Sequence, residues 1–462
     1  MSHEFRPRRQ PLLAALLLVA LAGSAYPQSV EDSIQVPGAW VGSLAYNSRE
    51  DVMYGASEDG WFFTISCDSS RVVGEFRLGG AFSVCYDSLD NKAYCTFYGP
   101  DWQDSLLVVD GQTHTRARAI SIPGATMPVW DPVSDRVYVS CQSTDKVAVV
   151  DCRTDSLLAY IPVGACPIKL YINPLRRKLY VQNGDDGTIS IVNMTTNQVV
   201  KALAVGGVPN AGYYSGRADK FYTAASFGYV AAIDGQGDSV VAQIQVAPYS
   251  EVLSAAGNEG SNLVMFGIYA EYCYTYAIST LTDSVTAISQ VTGLPYGLLY
   301  SQTTDRFYCG NGVYGSVSVI TGDGTRIVKT LAAGEDPFVF ACAPRHNRVY
   351  VGQLNSSKVF VIRDTTDGVE ESGPGQRTLA GSLRVWPNPF RRTITAAGRL
   401  GERPLRVYSP QGALVGTAAP SRADGRYQFA TWNGLDGTGQ PVPDGVYIVE
   451  AAGVRAKVVK AR

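Results

Sequence analysis

The sequence predicts an all-β protein, a β-propeller of eight blades followed by a small Ig-like β-sandwich. Three observations carry that expectation: a tyrosine-ended strand motif recurs about every 42 residues, the chain is dense in turn formers, and its charge changes sign toward the C-terminus. Among 462 residues there are 47 Gly, 24 Pro and 27 Tyr, a composition that suits short strands joined by tight turns. Charged residues make up 17%, below the usual share of about 25%, with 45% hydrophobic residues. That balance excludes a disordered chain and one that coats nucleic acid, and no nucleic-acid partner is expected.

The N-terminus opens with Arg6, Arg8 and Arg9, continues in an apolar run from Leu12 to Ala22, and reaches the small residues Gly23 and Ala25. This is the layout of an export signal over residues 1–25. The apolar run is too short for a membrane anchor, which needs about 20 residues, and no later segment is apolar enough to span, so no transmembrane segment is expected in the mature chain.

From residue 26 the repeat begins. The motif appears as DVMYGAS, NKAYCTF, DRVYVSC, RKLYVQN, DKFYTAA, DRFYCGN and NRVYVGQ, and its tyrosines are Tyr54, Tyr94, Tyr138, Tyr180, Tyr222, Tyr308 and Tyr350. Successive spacings are 40, 44, 42, 42, 86 and 42, and SNLVMFG around Val264 fills the double gap without its tyrosine. A period near 42 matches the roughly 40–45 residues of a four-stranded propeller blade. In the best-preserved period PIKLYINP is innermost, then KLYVQN, TISIVNM and, outermost, QVVKALAV. The period starting at Pro337 ends after its third strand, FVIRD, while SVEDSIQVPG at residues 29–38 matches the outer strand SVVAQIQVAP. An N-terminal strand closing the last blade leaves no free edge and gives eight blades over residues 26–364. Seven is the alternative if one divergent repeat is an insertion.

The elements YVSC, YVQN and YVGQ, the third-strand residues Asp110, Asp151 and Asp234, and the turns IPVGACP, AVGGVP and AAGEDP resemble the YVTN family of bacterial β-propeller repeats. The likeness covers about residues 30–364 and implies a propeller fold. Relatives of that family include lactonase-like and dehydrogenase-subunit-like proteins, so an enzyme acting in the periplasm or outside the cell is the alternative function.

Residues 365–382, rich in Gly, Ser, Thr and charge, read as a linker. Beyond it, residues 383–462 carry 12 Lys/Arg against 5 Asp/Glu, in contrast to the acidic first part. Short alternating strands separated by Asn-Gly, Asp-Gly and Pro-Asp-Gly turns predict the sandwich. Pro387, Asn388, Pro389 and Phe390, then Leu405 to Tyr408, Gly412, Trp432-Asn433-Gly434, Gly445, Val446, Tyr447 and Lys457 to Val459, resemble the C-terminal sorting domains of type IX secretion cargo and the Ig-like fold of flagellar hook-cap proteins. That resemblance implies delivery to the cell surface or the medium, with the outer-membrane secretion machinery as a partner. A plain accessory Ig-like module is the bland alternative.

Catalytic chemistry is sparse. His114 and His346, the histidines beyond residue 25, are more than 230 positions apart and each lies beside a turn, where a solvated side chain is expected. The nine cysteines show no CxxC spacing, and the one pairing the sequence suggests is Cys85 facing Cys95 across a hairpin. No metal site, cofactor or catalytic residue is therefore expected, and whether any cysteines pair is left open. Asp110, Asp151 and Asp234 are expected to close turns with their own side chains, and NGDDGT and TGDGT lack the spaced carboxylates of a calcium loop. The candidate binding site is the mouth of the central channel, with Trp40, Phe82, Trp130, Tyr213, Glu251, Tyr296 and Phe338 contributing about one side chain per blade. Aromatic rings with a lone carboxylate suit a protein or glycan ligand, whereas packing on one another to plug the channel is the structural alternative. The function expected is that of an exported propeller that binds a partner.

Overall fold

A computed structural model describes residues 28–98, 104–225, 227–365, 384–386, 393–398, 404–409, 413–424, 427–451 and 454–460. The export signal, nearly all of the linker and Pro387 to Phe390 lie outside them. The chain divides into two compact units, residues 1–370 and 371–462. No described helix is long and apolar enough to cross a membrane.

The first unit is a β-propeller. Its described residues form eight four-stranded antiparallel sheets, each running outward from an innermost strand. These innermost strands are Val41–Asn47, Gly80–Asp87, Ala125–Asp131, Pro167–Asn173, Gly212–Ser215, Glu251–Asn258, Leu298–Ser301 and Pro337–Ala343, which number blades one to eight. Each contacts the next, and the eighth contacts the first, so they close a ring around a central channel. The eighth blade takes its outermost strand from the other end of the unit: Gln28–Gln35 pairs antiparallel with Lys358–Asp364, from Gln28 opposite Asp364 to Gln35 opposite Lys358. Ile34 and Val36 are buried there.

Burial explains why strand alternation is blurred in the sequence. Second and third strands are covered on both faces by neighbouring blades, so Val52–Ser57 is buried at every position, while the outermost Arg71–Arg77 alternates exposed and half-buried. The motif tyrosines are all fully buried. Several of their hydroxyls reach into the following blade: Tyr94 Oη donates to Asp155 Oδ1 at 2.9 Å, Tyr138 Oη to the Met194 carbonyl at 3.3 Å, and Tyr222 Oη to the Thr280 carbonyl at 3.3 Å. The tyrosine therefore recurs because it fills the core between blades, and at Tyr94, Tyr138 and Tyr222 its hydroxyl also ties one blade to the next.

Turns follow the same logic. The turn between the first and second strands ends on a left-handed residue in every blade: Asp51, Asn91, Asp135, Arg177, Asp219, Asn262, Asp305 and Asn347. Asn and Asp tolerate that conformation best, hence their dominance. Asp110 and Asp151 accept the backbone N–H groups two and three residues on, as a turn-closing role requires.

Two expectations need correction. His346 is not a solvated turn residue: its Nε2 lies 2.5 Å from Asp51 Oδ2 of the first blade, because the turn that carries it abuts the neighbouring blade. His114 is likewise half-buried, 3.2 Å from the Tyr54 hydroxyl, and burial lowers its pKa. Cys85 and Cys95 do not face each other. Val84 is the residue opposite Cys95, so the one-residue offset turns the two thiols to opposite faces of the sheet. All nine thiols are free.

The described residues of the second unit form two four-stranded sheets. One is ordered Arg384–Trp386, Ile394–Gly398, Tyr427–Trp432, Pro420–Asp424; the other Leu414–Ala418, Leu405–Tyr408, Gly445–Ala451, Val454–Lys460. Ile394 and Trp432 of the first pack with Leu405, Val407, Tyr447 and Val449 of the second in one core.

Candidate functional site

The innermost strands carry a shared irregularity near their start. Register shifts between Val41 and Ser43, Ala81 and Ser83, Pro167 and Lys169, Val252 and Ser254, and Pro337 and Val339 mark a bulged residue at each. A bulge re-aims the side chain at its centre. Leu253 and Phe338 are two such residues, and both line a cavity of about 240 Å³ bounded by the innermost strands of blades four to eight. The small residues Ala211, Gly212, Ala255 and Gly297 leave the room, and at Gly297 a β-carbon would lie 2.1 Å from the Phe338 carbonyl oxygen.

The wall is aromatic, with Tyr171, Tyr296, Phe338 and Phe340, and the rings of Tyr296 and Phe338 have centroids 6.0 Å apart at 60°. Its one ammonium is Lys169. Lys169 Nζ donates to the Asn210 carbonyl at 2.7 Å, and no carboxylate partner is found for it among the described residues. Burial alone pushes its pKa below the ordinary lysine value. Burial raises the Tyr296 phenol, and the carboxylates of Asp336 and Glu251 raise it further; Glu251 is exposed and is not part of the cavity wall.

Of the seven channel-mouth residues read from the sequence, Tyr296 and Phe338 come together in the cavity wall. Trp40 precedes the first innermost strand and is 48% exposed, in a left-handed conformation. Phe82 lies in the bulge of the second innermost strand, and its side chain is outside the described residues. Trp130 sits at the far end of its strand, with Nε1 3.5 Å from Asp135 Oδ1. Tyr213 also points away from the cavity, packing over Gly257, where a β-carbon would be 2.1 Å from its ring, and donating to Glu259 Oε1 at 3.0 Å. Sequence reasoning missed Lys169, Tyr171, Leu253 and Phe340. Lys169 had a readable signal: among the first paired residues after each bulge, Ser43, Ser83, Lys169, Ser254 and Val339, it alone is charged.

Of the sorting residues, Pro387, Asn388, Pro389 and Phe390 lie outside the described residues, and so does the side chain of Lys457. Gly445 and Tyr447 lie on one strand of the second unit, where Tyr447 Oη donates to the Pro443 carbonyl at 2.7 Å.

A closed ring of repeats around a lined channel defines the class: the chain is a β-propeller repeat protein. No protein-family model matches it. The uncharacterized protein YncE of Salmonella typhi is 23% identical over 155 residues, which is 33% of this chain and 44% of that protein, and YncE of Salmonella typhimurium matches to the same extent. The match thus spans less than half the length of these relatives. Among solved structures, the computationally designed Ika8 protein superposes with a TM-score of 0.57 at 13% identity, over 71% of this chain and 98% of Ika8. BamB from Moraxella catarrhalis gives 0.56 at 15% identity, over 73% of this chain and 97% of BamB. At these identities the likeness is one of fold.

Proposed function

We propose that the protein is an exported propeller that binds a protein or glycan partner through its central channel, and that its C-terminal unit directs delivery to the cell surface or the medium. The observation that carries the binding reading is the channel cavity, in which one ammonium, Lys169, stands among aromatic rings. At about 240 Å³ it falls below the roughly 300–1,000 Å³ of sites that enclose a whole small molecule. It therefore suits a projecting group of a larger partner: a carboxylate to accept from Lys169, attached to an apolar or sugar-ring body that stacks on Tyr296 and Phe338. The titratable side chains lining the cavity are Lys169, Tyr171 and Tyr296, a set without a carboxylate or imidazole to pair with the lysine as a second acid–base group.

Support for delivery comes from the sequence of residues 1–25 and from the second unit. Its two sheets around one core, and a tyrosine hydroxyl returning to a backbone carbonyl four residues upstream, suit an Ig-like module. The outer-membrane secretion machinery is the partner this reading gives it.

Calorimetric titration tests the channel. Glucuronate and an acetylated peptide ending in Phe-Asp serve as probes, with glucose and the corresponding amidated neutral peptide as controls. At about 0.3 kcal/mol per non-hydrogen atom, a sugar acid held this way binds in the roughly millimolar range. Lys169→Met removes a charge-assisted hydrogen bond and weakens binding about 10- to 100-fold. Equal, absent or Lys169-independent responses to acidic and neutral probes refute the reading.

A further inference from the structure

The ends of the innermost strands are fastened to the next blade by complementary polar pairs. Asn47 Nδ2 donates to Asn91 Oδ1 at 3.1 Å, Asn173 Nδ2 to Asp219 Oδ1 at 3.0 Å and Asn258 Nδ2 to Asp305 Oδ1 at 3.1 Å, while the Arg177 guanidinium grips Asp131. In each case a donor meets an acceptor.

Between the second and third blades that rule fails. The strand ends on Asp87, and the left-handed turn residue of the next blade is Asp135. Asp87 is fully buried, and its Oδ1 accepts the Leu89 and Asp90 N–H groups, just as Asn47 Oδ1 accepts those of Arg49 and Glu50. Its Oδ2 therefore takes the place of the Asn47 amide nitrogen, and it is buried without a hydrogen-bond partner. An acceptor faces an acceptor. The buried thiol of Cys152 completes the group: Asp87, Asp135 and Cys152 each bring one donor atom within 4.8 Å of the others. Among the described residues Asp135 has outside help only from Trp130 Nε1 and from Arg153, each at 3.5 Å, and the Arg153 side chain is 78% exposed.

We propose that Asp87, Asp135 and Cys152 form a structural binding site for one divalent cation of the zinc type, which clamps the second blade to the third. Two carboxylates and a thiolate are a hard-and-soft donor set that Zn²⁺ accepts, and a single cation meets the two facing acceptors where the Asn47, Asn173 and Asn258 junctions place an amide donor and the Asp131 junction a guanidinium. Binding displaces the thiol proton to solvent, so the ion enters most readily as the ring closes during folding. The site is separate from the channel cavity and does not depend on the ligand proposed there.

The test is to unfold the full chain in chelator, refold it with Co²⁺ or Zn²⁺, and measure bound metal, the cobalt–thiolate absorption and the melting temperature. Expected are one equivalent of metal per chain, a thiolate band lost in Cys152→Ser, and a melting temperature higher than that of the metal-free protein. Asp87→Asn restores the donor that Asn47 provides elsewhere. It is expected to fold without metal, to bind at least tenfold more weakly, and to melt at a temperature indifferent to the ion. Metal uptake unchanged in both variants places the ion elsewhere and overturns the assignment. So does wild-type protein that takes up less than about a tenth of an equivalent while Asp87→Asn still stabilises it, a result that assigns the junction to a proton shared by the two carboxylates. Should Asp87→Asn fail to fold, the cobalt spectra of wild type and Cys152→Ser decide alone.

Discussion

Replacing Ile34 by Ala tests whether the N-terminal strand is an integral part of the ring. Ile34 is 5% exposed and packs with Val359, Val361 and Met53, so it links the outermost strand to its own blade and to the first. Truncating a buried isoleucine leaves a cavity and costs about 2–5 kcal/mol. A closed ring melts as one body. At about 2.1 cal/mol/K per residue, the roughly 340 residues from Gln28 to Asp364 give an unfolding entropy of about 0.7 kcal/mol/K. The midpoint should then fall by about 3–7 °C in differential scanning calorimetry, in a single transition for this unit. Val200→Ala is the matched control: Val200 is 51% exposed on the outermost strand of the fourth blade and should change stability by less than about 0.5 kcal/mol. Equal midpoints for the two variants, or an Ile34→Ala protein that loses only a local fraction of its signal, would refute the reasoning.

Other outcomes follow from the junctions and the units. Burial opposes ionisation of Asp131, but the Arg177 guanidinium and nearby turn donors outweigh it and hold the carboxyl below its ordinary pKa. That stability is present above about pH 4 and lost as the pH falls through the folded-state value, so Arg177→Ala should cost about 3 kcal/mol at pH 7 in urea melts and progressively less in acid. A chain ending at Gly375 retains the whole first unit and should fold normally, yet remain in the periplasm on cell fractionation while the full chain reaches the surface or medium. Equal delivery of the two would defeat the sorting role. Tyr94→Phe removes the hydroxyl bonded to Asp155 and to the Cys152 carbonyl and should lower stability by about 1 kcal/mol, as read by thermal melting.

The repeat made the fold legible. A 42-residue period, and an orphan strand at residues 29–36 matching the outer strands, were enough to place Gln28–Gln35 against Lys358–Asp364. The site was harder to read, because a channel is lined by residues from different repeats and depends on where each strand bulges. Phe338 shares the bulge position with Phe82 and Leu253, and Tyr296 lies just before its strand Leu298–Ser301, whereas Trp130 and Tyr213 lie farther along their strands, where side chains pack between blades. Ring size gave no clue to which end of a strand an aromatic occupies. The Asp87, Asp135 and Cys152 cluster was invisible for a related reason: its members come from one strand end and two separate turns, and only the comparison of equivalent junctions shows that two acceptors meet.

The most direct test of channel binding is the reactivity of Lys169 itself. In the presence of excess glucuronate or acidic peptide, acetylation of Lys169 should slow markedly, followed by mass spectrometry with the exposed Lys201 as internal reference. The account predicts protection at Lys169 alone, reversed by Phe338→Ala. Acetylation of Lys169 at the same rate with and without either probe would contradict it.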